Sequence, residues 1–391
     1  MPNVTRTRVL IVDDSAFMCK VLQSIISADP EMEVIGTARD GRDAISKAEA
    51  LKPDVITMDI NMPHVDGLQA TEVIMSSNPR PIVIVSSESR EGAELTLRAL
   101  ELGAIDFVPK PSSGIDLDMN SVRDELCRKL KMAGKVRVVR NAARSPYVQG
   151  FSGNGNNGPT TPAPSAAPPV PSSPKPLANL NPALSAIPSI RVNGKFPLIC
   201  LAASTGGPAA LMQLAPMFPR EFPGAVLLIQ HMPGSFTGQF SQQLAEVASI
   251  RVKEAEQGEL IYPGTIYVCP GSQHLRVSPN GRVTLDDGPR VNGYRPCADL
   301  TMETLASFAG PMGTGVVLTG MGADGARGAR AIKATGGYVI AQDEATSVIF
   351  GMPAEAIRTG AVDQVVPLTQ IYAAIEKRIL FTLGASRVGA L

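Results

Sequence analysis

Tryptophan is absent from this chain of 391 residues, and aromatic residues make up only 4% of it. Their scarcity argues against a base-stacking surface or an aromatic sugar cleft, because both need several exposed rings. An excess of one charge is also missing, since 36 basic side chains balance 36 acidic ones. The chain therefore has no overall attraction to phosphate backbones or anionic lipid, and we expect neither nucleic-acid binding nor membrane insertion.

Long apolar runs and paired cysteines are missing as well. No stretch approaches the roughly 20 apolar residues that span a bilayer, and the first residues do not resemble a secretory signal, so we expect a cytoplasmic protein. The five cysteines form no C-x-x-C pair, which predicts buried free thiols rather than a zinc site or a disulfide framework. Only three residues can supply histidine chemistry: His64, His231 and His274.

One long segment has a composition that cannot form a packed core. Between Ser145 and Ile190 the only charged residue is Lys175, and 11 of the chain's 33 prolines lie there among Asn, Gly, Ser and Ala. This composition is typical of a flexible linker with extended, proline-stiffened stretches. We therefore predict a domain over residues 1–132, a linker over 133–192, a larger domain over 193–384 and a flexible tail over 385–391.

Short apolar runs alternate with helical patterns on both sides of this linker. They predict two α/β domains with doubly wound, mostly parallel sheets. The second domain carries a β insertion with a hairpin signal at Asn280-Gly281. The predicted strands are Val9–Val12, Val34–Thr37, Val55–Met58, Ile82–Val85 and Asp106–Val108, then Leu198–Ala203, Val226–Gln230, Tyr262–Val268, Val316–Thr319, Tyr338–Ala341 and Gln364–Val366.

Polar residues follow the strands of the first domain at the sheet edge where sites form in open α/β folds. They are Asp13 and Asp14 after the first strand, Asp59 after the third, Ser86 at the fourth and Lys110 after the fifth. Crowded carboxylates repel one another unless a cation lies among them, and an all-oxygen site suits Mg²⁺. One carboxylate could then attack phosphorus and form an acyl phosphate, with Lys110 neutralising the phosphoryl oxygens. The alternative is that these residues only cap the helices that follow them.

This first region resembles a response-regulator receiver domain over roughly residues 6–130. The matching segments are VLIVDDS, VITMD followed by INMPHVDG, IVIVSS and DFVPKP. The resemblance implies a flavodoxin-like fold, Mg²⁺ as cofactor and phosphorylation of Asp59 by a chemotaxis histidine kinase. It also implies a metal site with Asp14 and the Asn61 carbonyl as direct ligands, Asp13 as a ligand through water, and Asp59. The phosphate-sensing residues would be Ser86 and Lys110, and Phe107 would be an aromatic switch residue.

A turn of small residues, Ser204-Thr205-Gly206-Gly207-Pro208, joins the first strand of the second domain to a helix. A phosphate loop would need a lysine after its glycines, and Pro208 removes a backbone donor, so that interpretation fails. The turn instead favours a serine nucleophile whose hydroxyl lies beside helix amides that can bind an oxyanion. It is not the G-x-S-x-G elbow, because Ala202 stands where that motif has glycine.

Two later strand ends supply the partners that a nucleophilic serine needs. His231 follows the second strand, and Asp324 lies in a glycine-rich turn after a third. The serine would attack, the imidazole would carry the proton and the carboxylate would fix the imidazole tautomer, while the Met321 N–H could help to bind the oxyanion. Taken singly, Ser204 and Asp324 could be helix caps and His231 a packing residue. Together at one sheet edge they favour a catalytic triad.

The second region is similar to the catalytic domain of chemotaxis protein-glutamate methylesterases, the CheB family, from about residue 196 to 380. The matching segments are AASTGGP, LLIQHMP, IYPGTIYVCPG, DDGPRVNGYRPCAD and VVLTGMGADGARG. The resemblance implies a Rossmann-like hydrolytic domain that needs no cofactor for the ester reaction. Its implied site is the triad Ser204, His231 and Asp324, with oxyanion donors at the backbone of Met321 and Thr205.

The two resemblances together imply a phosphorylation-activated enzyme. Its substrates are glutamate γ-methyl esters on the cytoplasmic helices of chemoreceptors, its product is methanol, and members of this family also deamidate receptor glutamines. The receiver is expected to cover the catalytic cleft until Asp59 is phosphorylated. Two departures from the family pattern are Ala202, where glycine is usual, and the length of the linker.

Two other functions compete with this interpretation. A transcriptional response regulator would carry a compact, basic helix-turn-helix after the linker, and the long α/β region with no basic run disagrees with that. A scaffold that binds partners when phosphorylated would keep the second domain without its catalysis. Reactivity of Ser204 towards a fluorophosphonate separates the enzyme from the scaffold.

Overall fold

The computed structural model describes residues 6–87, 89–110, 119–136 and 196–388. These residues form two α/β domains, each built on an open sheet in which every pair of neighbouring strands is parallel. The predicted fold class is therefore confirmed. Of the predicted linker over 133–192, only residues 133–136 lie within the described part of the chain.

The N-terminal domain has a five-stranded sheet in the order β2-β1-β3-β4-β5. Strand residues alternate between its faces, so that Leu10 and Ile56 pack towards α2, α3 and α4, whereas Val9 and Val55 pack towards α1 and α5. Its elements are β1 (Thr7–Val12), α1 (Ala16–Ser27), β2 (Met32–Ala38), α2 (Gly41–Leu51), β3 (Val55–Met58), α3 (Gly67–Ser77), β4 (Ile82–Ser86), α4 (Arg90–Glu101), β5 (Asp106–Pro109) and α5 (Met119–Ala133).

The C-terminal domain has a seven-stranded sheet in the order β14-β13-β12-β6-β7-β9-β8, and the predicted hairpin forms a separate antiparallel pair. The central strands are buried along their whole length, as in parallel sheets covered on both faces. The elements are β6 (Leu198–Ala203), α6 (Gly207–Leu214), β7 (Ala225–Gln230), α7 (Gly234–Val247), β8 (Arg251–Glu254), β9 (Thr265–Val268), β10 (His274–Val277), β11 (Val283–Asp286), α8 (Ala298–Ala309), β12 (Gly313–Val317), α9 (Ala326–Ala334), β13 (Tyr338–Gln342), α10 (Met352–Arg358), β14 (Gln364–Val366) and α11 (Ile371–Val388).

Three strands were either not predicted or differ from the sequence prediction by more than two residues at one end. β9 begins at Thr265 rather than at Tyr262. β8 was not predicted, because Arg251–Glu254 is a short, polar strand at the edge of the sheet and carries no apolar run. β12 was predicted over Val316–Thr319 but spans Gly313–Val317. The Thr319 N–H bonds to the side chain of Gln342 in β13 at 2.7 Å, while the Leu318 N–H still bonds to the Ala202 carbonyl of β6 at 2.8 Å, so the regular pairing ends first on the β13 side.

The two domains pack against each other through α4 and β5 of the first and the start of α7 in the second. A continuous apolar core crosses the boundary and includes Leu97 of the receiver side and Phe236 of the other. The rings of Phe107 and Phe236 lie with their centroids 4.4 Å apart, tilted by 37°. This contact brings the end of β5 next to the carboxyl edge of the larger sheet.

Helix α11 extends to Val388, which is inside the segment 385–391 that was expected to be a flexible tail. Residues 389–391 lie outside the described part of the chain. None of the described helices combines the length and the apolar character that a bilayer crossing requires.

Candidate active site and receiver pocket

The acidic pocket lies at the carboxyl edge of the first sheet. Asp13, Asp14 and Asp59 each place a carboxylate oxygen within 4.8 Å of the others. Lys110 lies between two of them, with its Nζ 3.0 Å from Asp13 Oδ2 and 2.9 Å from Asp59 Oδ2. Burial raises the pKa of Asp59, although the ion pair with Lys110 opposes this shift. The donors are all oxygen, so this group of side chains fits Mg²⁺.

The other residues expected in this pocket lie around the acids. The Ser86 hydroxyl is buried and points to the carbonyls of Ser87 and Gly92, at 3.4 Å and 3.3 Å. Phe107 is 2% exposed and faces the second domain rather than the pocket. Asn61 is exposed in the loop after β3. The structure thus brings Asp13, Asp14, Asp59 and Lys110 into direct contact or close approach, with Ser86 turned towards the β4–α4 loop.

The nucleophile turn, residues 204–208, leaves β6 in an unusual conformation. Gly206 has a φ of 77°, and a Cβ there would lie 2.6 Å from Val348, so glycine is required by both conformation and space. The Ser204 N–H bonds to the Thr319 carbonyl at 3.1 Å, and its carbonyl accepts from the Gly207 N–H at 2.7 Å. The backbone of the turn is therefore held from both sides, and the Ser204 side chain stands at the end of the strand.

His231 and Asp324 form a direct hydrogen bond at the same sheet edge. The His231 Nε2 lies 2.7 Å from Asp324 Oδ2, while its Nδ1 is buried and has no hydrogen-bond partner among the described residues. The carboxylate accepts, so Nε2 carries a proton in the neutral ring and Nδ1 is the basic nitrogen. The Nδ1 is therefore the atom able to take a proton from a hydroxyl. His231 N–H bonds to the Ala203 carbonyl at 3.1 Å, which sets the histidine beside Ser204 on the neighbouring strand end.

Asp324 is a buried carboxylate with an unusual number of donors. Besides His231, it accepts from the backbone N–H of Ala298 at 2.7 Å and of Asp299 at 2.9 Å, the first two residues of α8. The Cys297 thiol is 3.2 Å from Oδ1. Burial alone would raise the pKa of Asp324, but the contacts with His231 and the amides outweigh it and lower the pKa to about 2. The residue is thus an anion at neutral pH and steadies a positive imidazole.

The glycine-rich turn after β12 lies directly against the nucleophile turn. A Cβ at Gly320 would lie 2.8 Å from the Ser204 Cβ, so the residue before Met321 lies directly against the serine. Tyr294 covers this turn: its ring stacks on His231 with centroids 4.1 Å apart, and its hydroxyl donates to the Met321 carbonyl at 3.2 Å. No sequence pattern pointed to Tyr294, because it lies in a loop and residue spacing does not determine the path of that loop.

The receiver side also contacts the nucleophile turn. Asp106 Oδ2 accepts from the Thr205 hydroxyl at 2.5 Å, and the Ile105 carbonyl accepts from the Gly206 N–H at 3.3 Å. Arg128 of α5 lies 3.4 Å from the Tyr294 hydroxyl. The first domain therefore lies over the serine turn and over the ring that covers the histidine.

The remaining histidine and thiol candidates lie away from this chemistry. The His274 Nε2 bonds to the Pro289 carbonyl at 3.1 Å on the β insertion, and its side chain is buried. Cys200 is completely buried within β6, and burial raises the pKa of its thiol, so it is not a nucleophile. All five cysteines are buried free thiols, as predicted.

Comparisons with known proteins match both halves of the chain. Residues 199–375 match the family described as CheB methylesterase, and residues 9–120 match the response regulator receiver domain. A protein-glutamate methylesterase/protein-glutamine glutaminase of Pyrococcus abyssi is 43% identical over 98% of this chain and 96% of its own. That of Symbiobacterium thermophilum is 42% identical over 95% of this chain and 97% of its own.

A solved structure is similar to the second domain. The CheB methylesterase catalytic domain of Thermotoga maritima has 39% identity, covers 47% of this chain and 98% of its own length, and has a TM-score of 0.45. The full-length relatives cover nearly the whole chain at an identity well above that of unrelated proteins. The chain therefore belongs to the CheB family of protein-glutamate methylesterase/protein-glutamine glutaminases.

Proposed function

We propose that this chain is a phosphorylation-activated serine hydrolase that demethylates glutamate γ-methyl esters on chemoreceptors and deamidates receptor glutamines. The proposal is supported by the names of its full-length relatives and by one observation above all. This is the hydrogen bond between His231 Nε2 and Asp324, which leaves the basic Nδ1 without a partner beside the serine turn. We place the enzyme in the cytoplasm, where the receptor helices that carry its substrate lie.

The ester reaction proceeds through an acyl-enzyme. The Ser204 oxygen bonds to the ester carbonyl carbon while its proton passes to His231 Nδ1, and the Asp324 carboxylate stabilises the imidazolium. The carbonyl oxygen becomes an oxyanion beside the backbone N–H groups of Met321 and Thr205. When the intermediate collapses, the C–O bond to the methoxy group breaks and the imidazolium protonates the leaving oxygen, giving methanol.

Water completes the cycle by the reverse sequence of proton transfers. Nδ1 of His231 takes a proton from water, hydroxide adds to the acyl carbon, and the bond to Ser204 breaks as the imidazolium returns the proton to the serine oxygen. The receptor keeps a glutamate carboxylate. A glutamine side chain passes through the same oxyanion and releases ammonia, so one site serves both reactions.

The receiver pocket would control this reaction through phosphorylation of Asp59, with a chemotaxis histidine kinase as phosphodonor. Asp13, Asp14, Asp59 and the Asn61 carbonyl would hold Mg²⁺, which supplies positive charge to neutralise phosphoryl oxygens. The Lys110 Nζ lies 2.9 Å from Asp59 Oδ2 and would bind a phosphoryl group attached to that carboxylate. A phosphoryl group adds nearly two negative charges at neutral pH.

The contacts between the domains support a route by which phosphorylation of Asp59 would act on the catalytic domain. Ser86 would turn from its bonds to the β4–α4 loop towards the phosphate, leaving room into which Phe107 can move. Phe107 packs on Phe236 in the docked arrangement, so its movement would loosen the contact between the domains. The population would shift towards an enzyme with an open cleft.

Methanol release from methylated receptor membranes tests the proposal. Wild type, Ser204→Ala and Asp59→Ala are compared with and without a phosphodonor. We expect release that rises with phosphodonor in wild type, no release from Ser204→Ala, and no stimulation of Asp59→Ala. Undiminished methanol release by Ser204→Ala would refute the assignment of Ser204 as the nucleophile.

A fluorophosphonate probe provides a second, independent readout. We expect labelling at Ser204 that disappears in His231→Ala. Absence of labelling with and without a phosphodonor would favour the scaffold function instead.

A further inference from the structure

Two helices at the active site cap each other through acidic side chains. Asp324, which precedes α9, accepts hydrogen bonds from the first two amides of α8, those of Ala298 and Asp299. In return, the Asp299 carboxylate of α8 accepts from the Gly325 N–H at 2.9 Å and the Gly328 N–H at 2.7 Å, at the start of α9. Each carboxylate thus satisfies the free N–H groups of the other helix.

Neither helix has an alternative cap of its own. The residue before α8 is Cys297, and its side chain makes no bond to the helix amides. The residue before α9 is Gly325, which has no side chain and a φ of 93°. The N–H of Gly325 bonds to Asp299 at 2.9 Å and to Asp324 at 3.0 Å, so the two acids share a donor. The position of Asp324 therefore depends directly on where Asp299 holds the start of α9.

We propose that Asp299 is a positioning residue for the triad, a role that rests on the proposed function. Asp299 is buried, and its carboxylate bonds to the Gly325 and Gly328 amides beside Asp324, so it acts through Asp324. By fixing the 324–328 turn it sets the direction of the Asp324 Oδ2 lone pair that receives the His231 Nε2–H. The tautomer that leaves Nδ1 basic depends on that direction.

The groups around Asp324 indicate that Asp299 acts by placing the Asp324 carboxylate. The titratable groups near its carboxylate are His231, Cys297, Asp299, Cys200 and Tyr294. Arg327 of α9 lies 3.9 Å from Asp299 and partly offsets its charge. The Cys297 thiol and the carboxylates of Asp299 and Asp324 lie as close together as metal ligands would. Backbone amides, however, already donate hydrogen bonds to both carboxylates. These amides, rather than a cation, balance the buried pair.

Three variants of the full chain test the role. Asp299→Asn keeps an oxygen able to accept both amides, whereas Asp299→Ala removes it. Thr301→Val is the matched control: its hydroxyl, in the same helix, donates to the Leu275 carbonyl at 2.6 Å, so the variant weakens the anchoring of α8 without touching Asp324. The measurements are kcat and KM for methanol release with a phosphodonor, thermal unfolding, and the downfield ¹H resonance of the His231 Nε2–H.

We expect Asp299→Ala to lower kcat by roughly 10- to 100-fold with little change in KM, because a displaced catalytic group costs rate rather than binding. The imidazole resonance should shift or disappear. Asp299→Asn should keep both close to wild type, and Thr301→Val should lose thermal stability while keeping kcat. Wild-type kcat and resonance in Asp299→Ala would overturn the proposal, as would equal damage in Asp299→Asn or in Thr301→Val.

A fourth variant covers the case in which Asp299→Ala does not fold. Asp299→Glu keeps the charge but moves the accepting oxygens by one methylene, so we expect a slower enzyme than Asp299→Asn. An Asp299→Glu enzyme as fast as wild type would overturn the positioning role. Failure of wild type itself to release methanol would instead refute the proposed function, and the imidazole resonance would still decide whether Asp299 positions the pair.

Discussion

Removal of the Asp106 carboxylate should release the catalytic domain from the receiver. Its Oδ2 accepts the Thr205 hydroxyl at 2.5 Å across the domain boundary, and both groups are buried in the docked arrangement. Its contacts with Lys129, at 2.9 Å, and with the Phe107 N–H lie within the receiver. Loss of those internal contacts lowers the stability of the docked and undocked forms equally. The change in the docking equilibrium therefore measures the loss of the bond to Thr205.

The size of the effect follows from the kind of hydrogen bond that is lost. A hydrogen bond to a charged acceptor contributes about 1.5–3 kcal/mol, and about 2 kcal/mol corresponds to roughly a 30-fold change in the docking equilibrium. We therefore expect Asp106→Ala to raise the activity of the unphosphorylated chain by up to about 30-fold, limited by the activity of the open enzyme. With a phosphodonor present, the variant and the wild type should converge.

The assay is the rate of fluorophosphonate labelling at Ser204, with methanol release as a second measure. Asp29→Ala is the control, because Asp29 pairs with Lys131 of α5 at 3.0 Å and its other hydrogen bonds among the described residues are to backbone groups of the first domain. It should leave the unphosphorylated rate unchanged. If Asp106→Ala labels no faster than wild type, the contact with the nucleophile turn does not hold the closed form and the reasoning is wrong.

Two further predictions follow from the charges at the two sites. The pKa of Asp324 lies at about 2 in the fold against an ordinary 3.8, so its charge stabilises the fold above about pH 4 and this contribution is lost as the pH falls towards 2. Between pH 4 and pH 2, the free energy of unfolding measured with urea should fall by about 2 kcal/mol more for wild type than for Asp324→Asn. An equal fall in both proteins would contradict the lowered pKa of Asp324. In the receiver, EDTA and Asp59→Asn should each abolish stimulation by a phosphodonor, measured as methanol release; stimulation that persists in EDTA would exclude a divalent ion at the acidic pocket.

Residues at strand ends were predictable because parallel strands bring their carboxyl ends to one edge. This rule identified Ser204, His231 and Asp324 from three distant segments, and the structure joins the last two directly. It could not identify Tyr294 or Asp299, because a loop after a hairpin and the first turn of a helix have no fixed place relative to the sheet edge. Their contacts depend on how α8 packs, which spacing along the chain does not determine.

The contact between the domains was predictable in kind but not in detail. A receiver joined to an enzyme by a linker implies regulation, yet composition leaves the relative placement of the two domains open. Phe107 was predicted to be an aromatic switch residue, and the structure adds its contact with Phe236 of the other domain, which no sequence pattern indicated. The β8 edge strand was missed because its residues are polar. They pair with β9 through backbone hydrogen bonds, which leave no apolar pattern in the sequence.

The use of Nε2 for the carboxylate has a consequence for the compactness of the triad. Serine and histidine follow adjacent strands, which lie only about 4.8 Å apart, and with Nε2 bonded to the carboxylate the nitrogen left to accept the serine proton is the one nearer the backbone. Amide side chains can imitate the two ends of the ring separately. Asparagine at position 231 would present its amide at the level of Nδ1, and glutamine at the level of Nε2, so His231→Gln should preserve the link to Asp324 while His231→Asn gives it up.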